Sequence, residues 1–274
     1  MNKIIGGLAV VILLVGSVVG FYMMQETPPP EQPVQPIKAP PAPVAPVEPV
    51  KPQVMQENVE PPLPELKDSD ALMHERMAEL VGADTFKKYF RPGELIRHIV
   101  VTIDNLPRKT AAVRLLPTKP VEGKFLTRGD TSGDDISGGE DENLVISPKN
   151  AARYQPYVRM AEMVDARKLV AVYASVAPLF QRAYQELGYP NGSFNDRLIT
   201  VIDHLLDTPQ VKEPVRLIQP NVMFQYANPT WEAQSAGRKI LMRMGRENAA
   251  KIKEKLRAIR SELSSQFSKQ LSAR

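Results

Sequence analysis

The sequence predicts a mainly α fold, α+β in the strict sense because of one minor β-hairpin element, carried behind a single apolar N-terminal helix. Three observations lead there: an uncharged run from Ile4 to Met24, a proline-dense stretch ending at Pro64, and apolar spacing of 3.6 residues over most of the remainder. The implied organisation is a cytoplasmic tail at 1–3, a transmembrane helix at 4–24, a disordered proline-rich linker at 25–64 and one helix-rich domain at 65–274.

The run "IIGGLAVVILLVGSVVGFYMM" holds 21 residues and no charge. As a helix it reaches about 31 Å, close to the hydrocarbon thickness of a bilayer. Lys3 precedes it, while Glu26 and Glu31 follow. The bias of basic residues toward the cytoplasm then places the N-terminus inside and the rest of the chain outside. A cleaved leader ending near Gly20 is the alternative, but it lacks an A-x-A-like site and runs on into bulky Phe21 and Tyr22. The expected partner of 4–24 is the lipid bilayer. The expected location is the inner membrane, single-pass, with a periplasmic C-terminal domain.

Between Thr27 and Pro64 there are fourteen prolines in 38 residues. Proline fixes φ and removes an amide donor, so neither a helix nor a sheet interior forms there. In polyproline II geometry such a tether spans up to about 120 Å, enough to hold a domain away from a membrane.

The domain starts where the periodicity does. Ser69 is placed to cap a helix through about Val81, with Leu72, Met73, Met77 and Leu80 on one face. "PGELIRHIVVTIDNLP" reads as a helix opening near Pro92 and stopping before Pro107. "VEGKFLT" and "NLVIS" are strand candidates joined by a long acidic, glycine-rich connection. Helices follow at 148–165, 166–187 and 193–207, with Pro178 a kink or a break in the second and Ser193 capping the third. "PVRLIQPNVMFQYANP" offers one or two short strands, and 229–263 one helix broken near Gly245, or two helices.

Four segments, "IDNLPR", "RYQPYV", "LGYPNGSFNDRLITVIDHLLDTP" and "SAGRKILMRMGRENAAKIKEKLRAIRSEL", together resemble the bacterial family known as domain of unknown function 3014, over nearly all of 65–263. The resemblance implies an anchored protein with a proline-rich linker. It implies no activity, so it assigns no catalytic residue.

Composition excludes several chemistries. With no cysteine there is no disulfide, thiol nucleophile or thiolate metal ligand. The three histidines, His74, His98 and His204, share no metal-ligand spacing, and no phosphate-cradling glycine loop or dinucleotide fingerprint is present, so no cofactor is expected. The net charge of +4 is concentrated: residues 238–274 carry eleven Lys/Arg against three Glu, a net of +8. A basic tail on an otherwise near-neutral domain is not a nucleic-acid footprint, and no nucleic-acid partner is expected.

Two candidate sites remain. His204 beside Asp203 and Asp207 could serve general acid–base catalysis, or could be the solvated face of a helix. Lys251, Lys253, Lys255, Arg257 and Arg260 could bind polyanions around an apolar seam of Ala249, Ile252, Leu256, Ile259 and Leu263. That seam either docks on its own domain or takes a partner helix, and replacing the three lysines with Gln is expected to leave folding intact. The acidic residues Asp130, Asp134, Asp135, Glu140, Asp141 and Glu142 offer oxygen ligands, but not at the spacing of a calcium loop. The expectation is a non-enzymatic interaction or scaffolding domain of the cell envelope. Its partner would be another envelope protein or anionic wall or lipid material. The alternative is an envelope hydrolase working from His204.

Overall fold

The computed structural model describes residues 62–129 and 144–272, with the two-residue strands Ile5–Gly6 and Asp135–Ile136. The linker as far as Pro61 and most of the predicted span at 4–24 lie outside the described residues. Within that span, Ile5–Gly6 are extended and not helical, pairing in parallel with Val164–Asp165. Among the described residues no helix is long and apolar enough to cross a membrane. The acidic residues considered as calcium ligands also fall outside them, apart from the backbone of Asp135.

The domain is helical as expected. Helix α1 (Asp70–Val81) buries Met73, Met77 and Leu80, and α2 (Ala83–Tyr89) follows after Gly82 at φ +84°. Ser69 does not cap α1. Its own backbone is already in the right-handed helical region, and its hydroxyl donates to the Leu66 carbonyl at 2.7 Å.

Helix α3 (Leu95–Asn105) begins three residues later than Pro92 suggests, because Gly93 and Glu94 both take left-handed φ, +83° and +47°. The first residue of α1 supplies its cap. Asp70 accepts the Glu94 N–H at 2.7 Å and the Leu95 N–H at 3.0 Å.

Helices α4 (Lys149–Met163), α5 (Ala166–Glu186) and α6 (Phe194–Leu206) form the bulk. Pro178 does not break α5. It is exposed, so the carbonyl that it orphans one turn earlier is left where water can reach it. Ser193 caps α6 as expected, its Oγ accepting the Asp196 N–H at 3.3 Å.

Short helix α7 (Pro229–Glu232), α8 (Ala236–Arg243) and the long α9 (Arg246–Ser272) complete the chain, with the break at Gly245, φ +88°. The seam Ile252, Leu256, Ile259 and Leu263 is buried as α9 packs on α4, α5 and α6, which settles its docking on its own domain.

The β content is small. Thr127–Gly129 pairs antiparallel with Leu144–Ile146, Arg128 opposite Val145, and with Asp135–Ile136 on its other edge. The first of these strands starts at the last residue of "VEGKFLT". Leu217–Ile218 and Gln225–Tyr226 make a second hairpin. Beneath the strands a second apolar cluster of Leu144, Val215, Leu217, Tyr226 and Met242 forms apart from the main core.

Candidate functional site

Three of the four motif segments meet at the end of α3, while Arg153 and Tyr157 of "RYQPYV" hold the carbonyls of Glu122, Gly123, Lys119 and Pro120 instead. Asp104, in its last turn, is 3 % exposed. Pro107 stops the helix just beyond, so the chain turns and brings Arg108 back over the carboxylate. Arg108 Nη2 donates to Asp104 Oδ2 at 2.6 Å. From α6, Arg197 donates Nε to Oδ1 at 3.0 Å and Nη2 to the Asp104 main-chain carbonyl at 2.7 Å. Tyr189, stacked on Tyr184 with centroids 4.5 Å apart, adds its hydroxyl to Oδ2 at 3.2 Å. One buried carboxylate thus joins α3, α6 and the α5–α6 turn.

The start of α8 docks on the same corner. Ala236 N–H donates to the Arg108 carbonyl at 2.7 Å and Gly237 N–H to the Leu106 carbonyl at 2.9 Å. An added Cβ on Gly237 would lie 2.6 Å from Leu205 Cδ2, so the close approach requires glycine.

His204 stands about two turns beyond Arg197 on α6. Its Nε2 is 2.8 Å from Ser235 Oγ, a histidine–serine pair that invites a catalytic reading. The surroundings oppose it. Ser235 is buried at the N-cap of α8, where its oxygen accepts the Arg238 N–H at 3.3 Å. Neither acidic neighbour is free to orient the ring: Asp207 accepts from Arg238 at 2.6 Å, and Asp203 accepts from Arg260 Nη2 at 3.0 Å. Burial, with Arg238 adding to it, holds the imidazole below its ordinary value, so it is neutral near pH 7. Arg238 also donates to the His204 carbonyl at 3.0 Å. These side chains tie α6, α8 and α9 together and do not surround a place for substrate. His74 and His98 lie on α1 and α3, His74 against the Phe86 ring.

The basic tail is largely engaged inside the domain as well. Lys253 donates to the Thr208 carbonyl at 2.5 Å, and Lys255 to the carbonyls of Val164 and Glu162 at the α4–α5 junction. Burial pulls both ammonium groups below the usual lysine range. Lys251 pairs with Glu162 at 3.3 Å and Glu247 at 3.5 Å, and Arg260 with Asp203. Arg257 is exposed. Replacing the lysines is therefore not neutral. Lys253→Gln with Lys255→Gln is expected to cost about 1–3 kcal/mol in urea unfolding, discounted for partial exposure, while Arg257→Gln leaves the midpoint unchanged. Equal midpoints for the two variants would contradict the assignment.

Open surface lies elsewhere. A cleft of about 1290 Å³ runs between the hairpin, the segment 210–215 and the α8–α9 corner. Ile146, Val215 and Met242 contribute apolar lining. Its charged lining is Arg128, Lys212, Arg243 and Arg246 against Glu213 and Glu247. Arg243 lies over the Tyr226 ring, 5.1 Å from its centroid. None of these was singled out from sequence. The cleft draws on strand, loop and helix residues far apart in the chain, and no spacing rule joins them.

Residues 95–260 match the model of the family described as "Protein of unknown function (DUF3014)". The chain belongs to this family. The DUF3014 span contains the whole Asp104 hub, the His204 and Ser235 pair, and the residues that line the cleft. No curated protein and no solved structure matches the chain.

Proposed function

We propose that this chain is a non-enzymatic interaction protein of the bacterial cell envelope: residues 4–24 anchor it in the inner membrane, the proline-rich linker spaces it, and the helical domain binds a partner outside the cytoplasm. One observation carries the non-enzymatic half: Asp203 and Asp207 are each committed to an ion pair that fixes one helix to another, and the Ser235 oxygen caps its own helix. A hydrolase using His204 needs at least one of them free beside a substrate. None of the three clefts described on this surface is lined by His204, Asp203 or Asp207. The anchoring half rests on the uncharged run behind Lys3 and on the prolines that follow.

The test has two arms. A reporter active only outside the cytoplasm, fused at the C-terminus of the full chain, is expected to work and to fail when 4–24 is deleted. Photo-crosslinking in intact envelopes is expected to join the domain to a defined partner. Activity of the reporter without 4–24 would remove the anchor. Hydrolysis of envelope substrates lost in His204→Gln would replace the interaction reading with the enzymatic one.

A further inference from the structure

We infer that the cleft between the hairpin and the α8–α9 corner is a docking groove for an extended acidic peptide segment of a partner protein. This deepens the interaction reading above and rests on it for the biological setting alone.

Charge argues first. Four cationic side chains and two carboxylates line the groove, so its surplus is positive and matches an acidic ligand. Three of the four cations are arginines, whose planar forks bind carboxylates bidentately. Arg128 lines the cleft, and its Nε is buried with no hydrogen-bond partner among the described residues, so the guanidinium is not spent on a neighbour through that atom.

Backbone argues next. Gln210, Val211, Lys212 and Glu213 lie outside any helix or strand, and their N–H groups make no main-chain hydrogen bond among the described residues. Such a segment can pair with an extended chain laid beside it, while apolar side chains of that chain reach Ile146, Val215 and Met242. A glycan fits less well. Sugar rings are held by stacking on aromatic faces, and among the described residues no aromatic side chain lines the groove.

The probe is a fluorescein-labelled decapeptide alternating Glu and Val, titrated by anisotropy against the full chain in phosphatidylcholine nanodiscs, which carry no net charge. Its controls are the same peptide with Gln for Glu and soluble muramic-acid glycan fragments. The Glu–Val peptide is expected to bind, and the Gln–Val peptide at least tenfold more weakly. Arg128→Gln and Arg246→Gln should each weaken the Glu–Val peptide about tenfold, the loss expected for one charge-assisted contact. Arg257→Gln, a cation outside the groove, should leave binding unchanged. Thermal melts of all three variants establish that they fold. Equal binding of the two peptides, equal losses in Arg257→Gln and Arg128→Gln, or binding of the glycan fragments in place of the peptide would each overturn the proposal. Because purified protein is used, failure here is separable from failure of the envelope crosslink. The first removes the acidic-peptide class, the second the cellular setting.

Discussion

Gly237→Val is expected to abolish folding of the domain. The first added atom would sit 2.6 Å from Leu205 Cδ2 and 3.1 Å from the Leu106 carbonyl oxygen, which accepts the Gly237 N–H. Leu205 is fully buried, so it has nowhere to move, and the backbone oxygen cannot retreat without losing the bond that seats α8. Alanine adds that one atom and should cost about 1–3 kcal/mol; valine adds two more carbons against the same wall. Circular dichroism melts of the soluble material check both. Adding Leu205→Ala, which removes the atom that is struck, should cost less in the Gly237→Ala background than alone. Additive losses would mean that the contact is looser than the geometry says.

Asp104→Ala is the second large effect. It leaves the Arg197 guanidinium without its carboxylate and the Tyr189 hydroxyl without an acceptor in a mostly buried corner. Removing one partner of a buried ion pair costs about 3–5 kcal/mol, and the lower end is expected because Arg197 keeps about a quarter of its side chain in water. Arg108, more than half exposed, contributes little to the loss. In a double-mutant cycle Arg197→Met should recover part of the cost, since an unpaired guanidinium no longer has to be accommodated. Denaturant midpoints measure it. If Asp104→Ala and Arg197→Met are additive, the carboxylate does not hold α6 to α3.

The helices were legible wherever an apolar stripe and a stop signal coincided. Leu198, Val201, Ile202 and Leu205 lie on the buried face that their spacing predicts, and Gly245 divides α8 from α9 where a left-handed residue was needed. Helix α2 was missed: at seven residues it is too short for periodicity to show, with only Phe86 buried. Cap chemistry misled where the acceptor came from afar. Ser69 fits a local cap by residue type, yet the functioning cap nearby is Asp70, serving a helix 25 residues away.

The candidate site was legible as a list of polar residues but not as a pattern of bonds. His204, Asp203 and Asp207 are close in sequence, and that closeness suggested cooperation. Their partners Ser235, Arg260 and Arg238 lie 31 to 57 residues away and divert them from one another. Asp104 drew no attention within its segment, since its pairing with Arg197, 93 residues away, leaves no local trace.

The reach of Asp70 bears on where this family's domain can be excised. The matched span opens at Leu95, the very residue whose N–H Asp70 accepts. A fragment cut at that limit would start α3 with its first amides bare and Glu94, if retained, without the bond that accompanies its left-handed turn. It would also strip Met73, Met77, Leu80, Phe86 and Phe90 from a core in which all are buried alongside Leu95, Ile96 and Ile99. The autonomous unit is accordingly longer than the recognisable one. The helical pair at 70–89 belongs to the same piece of folded matter, and a homologue trimmed to the matched limits would lose part of its interior.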